Sequence, residues 1–149
     1  MTVIDQPLSK QRLRVWLRLL SAHRVIEARL RENLREGHDT TLPRFDVLAA
    51  LDRTRDGLRM SELSAQLKVS NGNVTGIVER LVADGLVERV AVQGDRRAMR
   101  VRLTQAGLAR FAEMAAAHEA WIDEIMQNFE AEELETLITL LARIREDET

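Results

Sequence analysis

Residues Ser61 to Gly85, SELSAQLKVSNGNVTGIVERLVADG, hold two short helical segments separated by a tight turn. Ser61 and Ser70 each stand where a helix begins, and a short hydroxyl there accepts backbone N–H groups that the first turn leaves unpaired. Asp84-Gly85 supplies the stop, because glycine tolerates the left-handed conformation of a helix C-terminus. Projected at about 100° per residue, Val74, Ile77, Val78, Leu81 and Val82 share one face of the second helix and form a buried stripe. The other face carries Gly72, Asn73, Thr75, Gly76, Glu79 and Arg80, small and polar residues where an ordinary surface helix is rich in Lys and Glu. Each interior glycine costs roughly 0.5 to 1 kcal/mol relative to alanine, so two on one face favour close approach over helix stability. A recognition helix entering a DNA major groove about 12 Å wide needs such access. A loosely built surface helix fits this stretch equally well.

Beyond Gly85 the apolar period changes from about 3.6 residues to about 2. Leu86 to Val92 (LVERVAV) and Met99 to Leu103 (MRVRL) alternate in polarity around a polar tip, Gln93 to Ala98 (QGDRRA), which predicts a β-hairpin. A hairpin directly after a helix-turn-helix is a wing, and the fold class is therefore mainly α with a small β-wing, a winged helix-turn-helix. Arg96 and Arg97 at the tip suit a narrow minor groove, whose enhanced negative potential attracts inserted arginines. Asp95 beside them is placed to pair with one guanidinium and fix its direction.

The run SNGNVTGIVERLVADGLVERV followed by GDRRAMRVRLTQAG resembles the MarR (multiple-antibiotic-resistance regulator) family of bacterial winged-helix transcription factors. In that family an Asp-x-Arg pattern at the wing leads into a strand and then Leu-Thr-x-x-Gly. Here these are Asp95-Arg96-Arg97 and Leu103-Thr104-Gln105-Ala106-Gly107, and Leu42 to Leu51 (LPRFDVLAAL) resembles the family's second helix. The sequence departs from the pattern at Gly76, where the family often carries a basic or polar side chain. The resemblance covers nearly the whole chain and implies a homodimeric regulator, a repressor released by an effector, with aromatic acids or related metabolites held between the first, second and fifth helices.

At 149 residues and 45% hydrophobic content the chain is one domain's worth, with about six helices. The expected division is a DNA-binding core over 42–103 between dimerisation helices over 8–36 and 104–147. There are no cysteines, which excludes disulfides, thiolate metal sites and a thiol redox switch. A basic segment leading into an apolar core is absent from the N-terminus, and no apolar run approaches the roughly 18 residues of a membrane span, so the expectation is a cytoplasmic protein. The formal net charge of −2 hides an asymmetry. From Ser70 to Arg110 seven arginines face four acids, a net +3, whereas from Phe111 onward eleven acids face two arginines, a net −9. Phosphate is thus drawn to the motif and repelled by the tail.

Ser9 is placed to cap a long first helix whose Leu13, Trp16, Leu17, Leu20, Ile26, Leu30 and Leu34 recur at helical spacing, with Gly37 as its stop. Val15 and Leu19 widen that stripe beyond what one core covers. Thr41 and Pro43 open a second helix with Phe45, Leu48, Ala49 and Leu51 on its buried side, and Leu58 to Met60 forms a minor strand after the turn Arg55-Asp56-Gly57. Thr104 caps a helix carrying Leu108, Phe111, Met114, Ala115, His118, Ile122, Ile125 and Phe129. The last helix carries Leu134, Leu137, Ile138, Leu141 and Ile144, with acids from Glu130 to Glu135 at its positive end. Apolar helices at both ends predict burial across a twofold axis.

No catalytic constellation is found and no cofactor or metal is expected: His23, His38 and His118 lack ligand spacing, and the glycines at 72 and 76 follow no strand and precede no Gly-Lys-Ser/Thr. The predicted partners are double-stranded DNA, a second copy of the chain and a small-molecule effector. Toward DNA, Asn71, Asn73 and Thr75 are assigned to base edges, Ser70 and Arg80 to phosphates, and Arg97, steered by Asp95 beside Arg96, to the flanking minor groove. For the effector site implied by the resemblance, helical phase nominates Trp16, His23, Phe45, Phe111, Met114, His118 and Trp121, with Arg44 for a ligand carboxylate. The simpler reading of the same residues is that they pack the core and interface. Two other functions stay open on sequence: a winged-helix module that binds an acidic protein, and an enzyme using the apolar seam.

Overall fold

The computed structural model describes residues 7–67 and 73–145. The first helix, α1, spans Leu8–His38. It begins directly after Pro7, so Ser9 lies inside it and does not cap it, and it runs through Gly37 to stop at Asp39, which takes the left-handed φ of 48°. Aspartate is one of the few residues besides glycine that visit this region. Only Leu30 and Leu34, near its end, are buried.

Helix α2, Leu42–Arg53, opens as expected: Thr41 Oγ1 accepts the Arg44 N–H at 3.3 Å, and Pro43 sits in the first turn, where a missing N–H costs nothing. It is the centre of the core, with Phe45, Val47, Leu48, Ala50 and Leu51 buried. The turn through Gly57, at φ 101°, leads into strand β1, Leu58–Arg59, and then helix α3, Met60–Gln66. That helix starts one residue before Ser61, and its free N-terminal donor is met by the Glu62 carboxylate, which accepts the Arg59 N–H at 3.0 Å. Ser61 is therefore not the cap.

Helix α4, Val74–Ala83, buries Val74, Val78 and Leu81 and packs Ile77 and Val82 partly against the same core. Its N-cap is Asn73. Ser70, expected in that role, lies outside the described residues. The C-terminal stop is as expected, with Gly85 at φ 77° after Asp84.

Strands β2, Val87–Val92, and β3, Asp95–Leu103, form the hairpin, and β1 adds to the other edge of β3, giving the antiparallel order β1-β3-β2. Leu58, Val87, Val101 and Leu103 face the core. The expected six-residue tip is a two-residue turn, Gln93-Gly94, with Gly94 at φ 87°, because β3 begins at Asp95 and not at Met99. The register then slips: Ala91 pairs with Met99 but Val92 with Asp95, so Arg96, Arg97 and Ala98 lie between positions that are adjacent on β2. This is an irregular bulge, of the kind that twists a hairpin and re-aims side chains.

Helix α5, Gln105–Ile125, ends before Phe129, and α6, Ala131–Leu141, ends before Ile144, so both residues fall outside the helices assigned to them. Among the described residues none of α6 is buried. Leu137, Ile138, Leu140 and Leu141 on α6, and Leu13, Val15, Trp16, Leu17 and Val25 on α1, are exposed apolar side chains. No helix of the described residues is long and apolar enough to cross a membrane.

Candidate nucleic-acid interface

Apolar stripes fix which side of α4 faces outward. With Val74, Val78 and Leu81 inside, Asn73, Thr75, Glu79, Arg80 and Ala83 are exposed on the far side. The first turn is closed locally: Asn73 Oδ1 accepts the Gly76 N–H at 2.9 Å, and the Asn73 carbonyl accepts the Ile77 N–H at 2.9 Å. A Cβ on Gly76 would stand 2.6 Å from Asn73 Cγ and 2.8 Å from its Oδ1. The glycine that looks like an opening in the sequence is therefore filled by its own cap. Of the residues assigned to bases and phosphates, Thr75 and Arg80 are exposed on this face, Asn73 has its amide oxygen engaged, and Ser70 and Asn71 lie outside the described residues.

The wing is welded to this helix through Thr104. Its Oγ1 donates to the Gly85 carbonyl at 2.7 Å and accepts the Gly107 N–H at 3.0 Å, while its own N–H donates to the Leu86 carbonyl at 3.1 Å. A Cβ on Gly107 would lie 3.0 Å from the Leu86 carbonyl carbon and closer still to its oxygen, so only glycine lets α5 start so near the root of the wing. The Leu-Thr-x-x-Gly run thus joins three things: the end of α4, the base of the hairpin and the start of α5. Periodicity gives the cap at Thr104 but not its bond to Gly85, which spans 19 residues.

On the outer face of the sheet Arg59 and Arg100 sit opposite each other across β1 and β3, and Arg102 pairs with Glu88 on β2 at 2.7 Å. Asp95 is exposed where β3 begins. The side chains of Arg96 and Arg97 lie outside the described residues; their backbone follows Asp95 into the bulge.

Of the residues nominated for an effector, the structure brings together Phe45, Phe111 and His118. The Phe45 ring lies 5.5 Å from that of Phe111 and stacks on His118 at 4.7 Å. Met114 is buried in the same core, with Trp121 packed against it. Burial pushes the His118 imidazole below its usual 6.5 by disfavouring the charged form. Arg44 is half-buried at the start of α2. Trp16 and His23 are not part of this cluster: Trp16 is 55% exposed, and His23 Nε2 lies 2.7 Å from Glu27 Oε2 along α1. Sequence reasoning missed His38, whose ring meets Trp121 edge-on at 5.7 Å and whose carbonyl accepts from the Arg110 guanidinium. The contact joins the end of α1 to α5, and periodicity along either helix carries no signal for it. Among the described residues no group of His, Asp and Glu is arranged to hold a metal ion.

A family model described as the MarR family matches residues 38–98. The chain is similar to a MarR family transcriptional regulator from Silicibacter pomeroyi, with 31% identity and a TM-score of 0.78 over 93% of this chain and 95% of that one. It is similar also to a mutant MarR from E. coli solved with operator DNA, at 27% identity and a TM-score of 0.76 over 93% and 98%. A curated relative, the HTH-type transcriptional repressor YetL of Bacillus subtilis (strain 168), is 29% identical over 104 residues, 69% of this chain. That match spans 62% of the relative, less than two thirds of its length.

Proposed function

The chain belongs to the MarR family of winged-helix transcriptional regulators, and we propose that it is a homodimeric DNA-binding repressor released by a small-molecule effector. The observation that carries this reading is the exposed, lightly decorated face of α4, fixed to a basic hairpin by the hydrogen bonds of Thr104 to Gly85 and Gly107. Thr75 and Asn71 take the base edges, Ser70 and Arg80 the phosphates, and Arg97, with Arg96 and Asp95 beside it, the flanking minor groove. Phosphate contacts set the register and base contacts the sequence. The exposed apolar side chains of α1 and α6 support a twofold partner that covers them. Two α4 helices would then stand about 34 Å apart and read half-sites centred about 10 base pairs apart.

The aromatic group of Phe45, Phe111 and His118 supports an aromatic acid as effector, with Arg44, the residue before Phe45, assigned to its carboxylate. The test is selection of duplexes from a random pool, followed by anisotropy titration of the selected duplex with and without benzoate-type acids. The reading expects a pseudo-palindromic consensus and weaker binding when the acid is present. Failure to enrich any sequence contradicts specific DNA binding, and an acid without effect contradicts this choice of effector.

A further inference from the structure

We propose that Asn73 positions the reading helix and does not read a base, and that glycine at 76 leaves the room into which Asn73 folds. This rests on the DNA-binding reading above and assigns roles within its interface. An exposed asparagine on such a face is a natural reader of adenine, since its amide bonds bidentately to N6 and N7. Here the amide oxygen holds the Gly76 N–H at 2.9 Å, and turning it outward would leave that donor without its helix cap. The same placement of the amide also fills the space beside residue 76. The space that a side chain at 76 would fill is occupied by Asn73 Cγ and Oδ1, 2.6 and 2.8 Å from the position of a Cβ. Glycine inside a helix is disfavoured about fivefold relative to alanine, and the Asn73 clasp is what makes it worth keeping there. Asn73 is thus a device that fixes where α4 begins and how its first turn points, and Thr75 two residues on inherits that geometry.

Replacing Asn73 separates capping from reading, because serine caps a helix as well as asparagine but cannot bond bidentately to adenine. The experiment titrates wild type, Asn73→Ser and Asn73→Ala against the duplex that wild type selects and against every single base-pair change in one half-site. Positioning expects the serine variant to keep the wild-type order of bases at each site within about threefold. It expects the alanine variant to weaken on all duplexes alike, by about fivefold. A serine variant whose preference collapses at one base pair, by about tenfold or more, would show that Asn73 reads that base and would overturn the proposal.

Thermal unfolding of the Asn73/Gly76 double-mutant cycle gives the second readout. Gly76→Ala is expected to raise Tm in the Asn73→Ala background but not in the wild-type background, where the new methyl displaces the clasp. Equal rises in both backgrounds would mean that the two residues are uncoupled and would defeat the proposal. Should wild type bind no duplex, it is the proposed function that fails, and the unfolding cycle still decides whether the clasp exists.

Discussion

Gly107 has no room for a side chain, because a Cβ there would run into the carbonyl of Leu86 while its N–H is held by Thr104. Gly107→Ala is expected to lower stability by about 1 to 3 kcal/mol, as overpacking against fixed backbone does, and thermal unfolding measures it. His118 offers a test by pH. Burial lowers its pKa in the folded chain below the ordinary 6.5, so between the two values the unfolded chain binds more protons. The stability that this group contributes is complete above about pH 6.5 and is lost as pH falls below it. His118→Phe, which keeps a ring against Phe45, should flatten that part of the stability profile; an unchanged slope would rule out His118 as its source. Arg97→Ala is expected to cost about 1 to 3 kcal/mol in DNA affinity and to relax preference for A·T-rich flanks, measured by gel-shift titration at fixed salt. The sequence made Thr104 and Gly85 legible as cap and stop, since each acts on its own helix. It did not make Asn73 legible as a cap, because Ser70 offers the same chemistry a few residues earlier and only the fold determines which oxygen meets a free N–H.

Helix α6 has no buried residue and α1 is buried only near its end, so two amphipathic helices carry apolar faces that one chain leaves uncovered. Replacing Ile138, which is 62% exposed, with Asp removes no intrachain core contact. It is expected to leave the far-ultraviolet spectrum of the fold intact and to shift the molecular mass from dimer to monomer in light scattering. A variant that remains dimeric would place the interface elsewhere. The helices were read from their periodicity because each carries a stripe of apolar residues at spacing three and four, a pattern that depends on nothing distant. Their ends were less legible: Phe129 and Ile144 continue the stripes of α5 and α6 in sequence, yet the chain turns before each. The wing shows the same limit. Alternation gave Met99, Val101 and Leu103, but the slip that sets Val92 against Asp95 depends on pairing between strands, which no single strand encodes.

Charge is divided along the chain so that the α4 and wing segment is net positive and everything from Phe111 onward strongly negative. The net charge of −2 therefore says little about DNA, whereas the segment from Ser70 to Arg110 by itself carries positive charge that a polyanion would be drawn to. Much of this was visible without coordinates, because charge segregates by segment and the segments keep their order in the fold. What needed the structure was the junction of Gly85, Leu86, Thr104 and Gly107, which ties the end of α4, the base of the wing and the start of α5 together. Binding to a random-sequence duplex as a function of salt tests whether α4 and the wing are built for nucleic acid. With several phosphates neutralised, log K against log salt should fall with a slope of about −0.9 per contact, a total steeper than about −3. A flat dependence, or no binding in dilute buffer, would contradict the DNA-binding function on which every role assigned to α4 and the wing depends.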